Sequence, residues 1–232
     1  MRLFKGSELS PPALPPYAAN GIGLHSASDL FVTIHTYTHM EQGDLVELFW
    51  NDCFILAQQV QNTNHPLHLP VPLSFITDGD ARVHYRVLRV GHPAQKSPCL
   101  TIPVKLQCPG GSLQSDGENQ FLAAVQLPER VLREGLDLKR IKRGVAFSIE
   151  PWQYMAAMDC LTLRWGDLRL DIPPLLPSQV GQAVSGRIPK ALLREAGHDP
   201  HLEATYCVID RVGNRSGWAP GRQVRVYRAS AS

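Results

Sequence analysis

Apolar and polar positions alternate along this chain in short runs bounded by turn residues, the period of half-buried strands rather than of helices. Over residues 29–36, Leu30, Val32 and Ile34 alternate with Phe31, Thr33 and His35, and over 44–50 Val46, Leu48 and Trp50 alternate with Leu45, Glu47 and Phe49. The intervening Met40–Asp44 stretch reads as a connection across or between sheets. Asn51-Asp52 is a turn signal, and Phe54-Ile55-Leu56 restarts an apolar run, so the spacing predicts a hairpin. Further strands are predicted over 84–88, 100–106, 205–209 and 223–227. Residues 71–76 and 188–193 predict a strand giving way to a helical turn, and 128–134 a short helix opened by Pro128.

The pattern occurs twice. A constant shift of 115 residues pairs Ile34 with Ile149, Tyr37 with Trp152, Met40 with Met155, Asp44 with Asp159, Trp50 with Trp165 and Asp52 with Asp167. That period is too long for a solenoid unit and matches one small domain, so each copy should fold by itself. The expected organisation is a first domain over 1–106 with a proline-rich lead-in, a polar, glycine-bearing linker over 107–120, and a second domain over 121–232. With about seven short strands per copy, the expected fold class is all-β: two tandem immunoglobulin-like antiparallel β-sandwiches.

Composition narrows the function more than it specifies it. The net charge of +2 is too small to make nucleic acid the main partner, and no apolar run is long enough for membrane insertion. Residues 1–17 show no apolar signal-peptide core, so the expectation is no Sec signal, with a cytoplasmic location or export by a signal-independent route. The five cysteines do not recur between the copies, which argues against a shared disulfide framework.

The paired segments resemble the tandem immunoglobulin-like repeats of large surface and adhesin-type proteins of Pseudomonas and related bacteria. The resemblance rests on Tyr37, Met40, Gly43-Asp44 and Trp50-Asn51-Asp52, on Trp152, Met155, Asp159 and Trp165-Gly166-Asp167, and on Tyr206 to Ser216, a pattern fibronectin type III domains share. The first copy departs at Arg89, where an Asp is expected, and the second at Met158, where a Gly is expected. The resemblance implies structural roles: Trp50 and Trp165 as core plugs, Tyr85 and Tyr206 as corner tyrosines, Asp44 and Asp159 as turn caps beside Tyr37 and Trp152. Cys160 and Cys207 either occupy the places of an inter-sheet bridge or are small buried hydrophobes.

Candidate chemistry is sparse. His65-x-x-His68 and the pair His198 and His201 lie in loops without a Cys, Asp or Glu at ligand spacing, so no metal and no cofactor are expected. Nucleophile, phosphate-loop and dinucleotide signatures are absent, and no enzyme activity is expected. The densest charge cluster is Lys139, Arg140, Lys142 and Arg143 around Ile141, with Arg130 and Arg133 nearby. It reads either as a grip on an acidic partner or as a solvated edge that discourages sheet pairing. The expected function is a non-enzymatic binding or structural module, adhesin-like, presenting loops or edge strands to another protein or a cell-surface glycan. The alternative is a cytoplasmic adaptor, immunity or chaperone-like protein of a secretion or toxin system.

Overall fold

In the computed structural model, which describes residues 9–111 and 117–228, the alternating runs fold as strands in two units, 1–106 and 107–232. The first holds β1 (Ile22–Gly23), β2 (Phe31–Ile34), β3 (Leu45–Trp50), β4 (Cys53–Gln59), β5 (Leu67–Pro70), β6 (Gly79–Leu88), β7 (Gln95–Lys96) and β8 (Leu100–Lys105). One sheet has the order β1-β8-β6-β3-β4, with β7 also on β6, and the other pairs β2 with β5. The proline-rich lead-in adds to the small sheet through a bridge from Ala13 to Thr33. Val32, Ile34 and Leu69 of one sheet and Val46, Leu48, Trp50, Val83 and Tyr85 of the other fill the space between them.

The second unit repeats this with β9 (Leu136–Asp137), β10 (Val145–Ile149), β11 (Cys160–Trp165), β12 (Leu168–Ile172), β13 (Val184–Ile188), β14 (Asp199–Ile209), β15 (Arg215–Trp218) and β16 (Arg222–Tyr227). Its large sheet runs β12-β11-β14-β16-β9 and its small sheet pairs β10 with β13. Register repeats as well as order: Leu48 faces Tyr85 as Leu163 faces Tyr206. Strands β3 and β11 both bury their second, fourth and sixth residues, ending on Trp50 and Trp165. The sheets are not wholly antiparallel, since β1 runs parallel to β8 and β9 parallel to β16.

The crossing between sheets is the most strongly repeated feature. His39 and Tyr154 both take a left-handed backbone, at φ 62° and 59°. The amide of Glu41 donates to Asp44 Oδ2 (3.1 Å) and that of Ala156 to Asp159 Oδ2 (3.0 Å). The same oxygens accept from Tyr37 Oη (2.8 Å) and Trp152 Nε1 (3.1 Å), tying each aromatic to its corner. Residues Gly43 and Met158 precede the two aspartates with φ of 99° and 69°. Only glycine occupies that region without strain. Met158→Gly should therefore stabilise the second unit by about 0.5 kcal/mol, the relieved strain being partly offset by unfolded-state entropy. Gly43→Ala should cost the first about 1 kcal/mol. Calorimetry on the two variants checks both signs.

Part of the stretch expected to link the copies packs within the second unit. Gly110 donates to the Gln153 carbonyl (2.8 Å), and buried Asn119 donates to the carbonyls of Gly110 (3.2 Å) and Ser216 (2.7 Å). Residues 112–116 lie outside the described residues. Cys53, Cys99, Cys160 and Cys207 are free thiols. Cys160 stands opposite Ile209 and Cys207 opposite Thr162, on neighbouring strands of one sheet. The inter-sheet arrangement that a bridge across the core needs is therefore absent for this pair.

Candidate functional site

The structural residues singled out in the sequence lie in the cores and corners. Trp50 and Trp165 are 1% and 0% exposed. Tyr206 is buried and its hydroxyl donates to the Ala123 carbonyl (2.9 Å), while burial raises its phenol above the ordinary value. Tyr85 is equally buried, and burial pushes its phenol up to about 12.

Around Asp44 the two units diverge. Arg89 donates from Nε to Asp44 Oδ1 and from Nη2 to Oδ2, both at 2.7 Å, and also to the carbonyl of His39 and to Glu41 Oε1. Burial alone would raise the Asp44 carboxyl, but Arg89, the Glu41 amide and the Tyr37 hydroxyl together hold it below its ordinary value. The second unit has Asp210 at the matching end of its strand. Its Oδ1 accepts from the amides of Val212 (3.1 Å) and Asn214 (2.9 Å), folding the following loop on itself. The sequence departure at Arg89 thus marks a cross-corner clamp in one unit and a local turn in the other.

The basic run forms the wall of a cleft. The helix Glu129–Glu134 follows Pro128 and ends at Gly135 (φ 81°), where a Cβ would lie 2.6 Å from the Arg225 carbonyl oxygen. Strand β9 then pairs with the end of β16, and Leu138 donates to the Tyr227 carbonyl (2.9 Å). The Asp137 carboxylate accepts from the Lys139 amide (3.0 Å), turning the chain. Residues 138–144 belong to no strand, so the run is a loop rather than a sheet edge. Ile141 is buried, and its neighbours Lys139, Arg140, Lys142 and Arg143 are exposed. The loop closes at Gly144 (φ 90°), where a Cβ would collide with the Ile188 carbonyl oxygen.

Between helix, loop and β10 lies a cleft of about 630 Å³. Arg130, Arg140, Lys142, Arg143 and Arg187 line it, against Glu134 and Asp137 as the acids; Lys139 does not. Glu134 is engaged by Arg130 (3.0 Å) and Arg133 (3.1 Å), and Asp137 by Arg140 (3.4 Å). The guanidinium groups of Arg133 and Arg130 hold the Glu134 carboxyl below its ordinary value. Among the described residues, Lys142, Arg143 and Arg187 enter no ion pair, so the cleft keeps an excess of positive charge. A concave wall of one sign concentrates its field on an incoming anion.

Sequence reasoning missed two members. Arg187 arrives from β13 through its pairing with Ala146, and Tyr227 from β16 through its pairing with Asp137. No local signal marks either. The first unit has no counterpart, since its connection from 24 to 30 reads LHSASDL and carries no Lys or Arg. Two of the histidines expected in loops stand in strands, His68 in β5 and His201 in β14; His68 Nδ1 bonds to Thr33 Oγ1 (3.1 Å) and its ring meets Phe31 edge-on. Among the described residues no three His, Cys, Asp or Glu side chains group for a metal ion, and no helix is long and apolar enough to cross a membrane.

No family model and no curated protein matches the chain. Solved structures similar to it include a Ca²⁺-stabilised adhesin with which an Antarctic bacterium binds ice (13% identity over 97% of this chain, TM-score 0.43). Fibronectin(III)-like modules of Clostridium thermocellum CbhA align at 11% identity over 94% of this chain and 93% of theirs, TM-score 0.45. Chicken CNTN1 FN1–FN3 domains align at 8% identity over 97% of this chain and 68% of theirs, TM-score 0.40. The chain spans 51% of the length of the ice-binding adhesin structure. Twice over, a first segment and two strands make the small sheet, six strands make the large one, five in one fixed order with β7 or β15 added on β6 or β14, and a tryptophan fills the space between. The chain is a tandem pair of immunoglobulin-like, fibronectin III-like β-sandwich domains.

Proposed function

We propose that the chain is a non-enzymatic binding module, adhesin-like in presenting loops from a rigid scaffold, and that its second domain engages a negatively charged partner, protein or glycan. The observation that carries this reading is the cleft, where Lys142, Arg143 and Arg187 stand beside acids already neutralised by other arginines. The buried carboxylates support it from the other side: those of Asp44, Asp159 and Asp210 accept hydrogen bonds that shape turns.

A panel of immobilised acidic glycans and acidic proteins tests the reading. The full chain should bind at least one member, and more weakly as salt rises, because exposed charges are screened over about 8 Å at physiological ionic strength. Lys142→Glu with Arg143→Glu should weaken that binding by about tenfold or more. Both residues are exposed, so the melting temperature should hold within about 2 °C. Equal binding of wild type and variant to every member overturns the reading.

A further inference from the structure

Resting on that reading, we infer that the cleft of the second domain takes an oligosaccharide of acidic sugars rather than an acidic protein surface. Shape is the first ground. About 630 Å³ of concave space falls within the range of sites that enclose a small ligand, roughly 300–1,000 Å³. Protein partners instead meet broad patches of about 800 Å² per side.

Lining chemistry is the second ground. Protein interfaces place apolar anchors at a core depleted of charge. Here Leu136, Ile141 and Val145 are buried in the domain core, and apart from Tyr227 the apolar lining left accessible is the exposed Pro128 and the half-buried Val131 and Ala146, small side chains beside five cations. The large exposed apolar side chain nearest in sequence, Leu132, is not among the lining residues.

The third ground is that Tyr227 lines the same cleft as Arg143 and Arg187. Its half-buried ring lines the cleft, with the Arg225 guanidinium over it at 5.4 Å. An aromatic ring offers an apolar face to the C–H surface of a pyranose while its hydroxyl stays wet. Arg143 and Arg187 present planar forks that match a carboxylate or sulfate through two parallel hydrogen bonds. Arg187 also donates to the Gly144 carbonyl at 3.3 Å, which holds one fork against the loop.

Titration calorimetry on the full chain tests this with a galacturonate hexamer, a sulfated hexasaccharide, hexaglutamate and a neutral glucan hexamer. At least one acidic sugar should bind about tenfold or more tightly than hexaglutamate, and the glucan should not bind. Which of the two acidic sugars wins tells carboxylate from sulfate. Lys142→Glu with Arg143→Glu should weaken the sugar about tenfold or more, and Tyr227→Leu at least about threefold, with Arg187→Gln as a second charge variant should either fail to fold. Hexaglutamate binding as well as the sugars overturns the carbohydrate inference and leaves the anionic-partner reading standing. Binding of no hexamer overturns the inference, and the wider panel then decides the reading beneath it. Sugar binding unchanged in every folded variant overturns the assignment to this cleft.

Discussion

Replacing Trp50 or Trp165 by alanine is expected to destabilise its own domain by about 3–5 kcal/mol, enough to unfold a domain of ordinary stability. Each indole closes a strand whose inward positions are all buried, with Val46 and Leu48 beside Trp50, and Leu161 and Leu163 beside Trp165. Removing it deletes the contacts of a ring that buries roughly 200 Å² and leaves a cavity that a close-packed sandwich cannot collapse around. Neither core shares a residue with the other. Scanning calorimetry should therefore show the transition of the mutated domain lost or shifted far down, with the other domain's transition retained. The two ring N–H groups have no hydrogen-bond partner among the described residues, so volume rather than polarity carries the role. Trp→Phe should accordingly cost only about 1–2 kcal/mol, since it also removes a buried donor. A Phe variant as damaging as the Ala variant would contradict this account.

Arg89→Ala should produce the second largest effect, about 2–4 kcal/mol, confined to the first domain. Asp44 is 1% exposed and loses both of its short guanidinium bonds, keeping only the Tyr37 hydroxyl and the Glu41 amide. An uncompensated buried carboxylate is costly. The wild type carries a pH signature of the same clamp. The folded carboxyl is held below its ordinary value, so it contributes stability that is fully present above the unfolded pKa, about 3.9. That contribution is lost as pH falls through the lower folded value. Melting of the first domain should therefore weaken as pH drops below about 5, and in Arg89→Ala the slope should flatten. Equal slopes in both proteins would remove Arg89 from the explanation. Asp210, at the matching place, accepts from the Val212 and Asn214 amides of its own loop, so Asp210→Ala should loosen the loop from 210 to 214.

What was legible in the sequence was legible because it is local or repeated. The period-two alternation around Val46, Leu48 and Trp50 is a property of one strand, and it reappears as burial of those three residues. Asn51 and Asp52 both adopt positive φ, as a two-residue hairpin turn demands, and adjacent letters suffice to announce it. The shift of 115 residues survives at the corner because one hydrogen-bond pattern must be rebuilt there: Val60 donates to the Asp44 carbonyl as Leu175 does to that of Asp159.

The candidate site was legible only in part. Lys142 and Arg143 stand out as charge, yet charge on a line of text does not tell a solvated loop from a cleft wall. The buried Ile141 just before them makes the difference, by pinning the loop so that its cations rise around a hollow. Lys139, one more letter of the same run, falls outside the cleft.

From residue order alone came two β-domains, their tryptophan plugs and the aspartate at each corner, since strand period, turn chemistry and an internal repeat are written over a few neighbouring positions. Folding in three dimensions settled the rest. Arg89 reaches Asp44 across 45 residues, Arg187 comes to the basic loop across 43, and β9 lies parallel to β16 from the far end of the domain. Such contacts follow from which strands share a sheet, a competition among whole-chain packings that no stretch of sequence expresses.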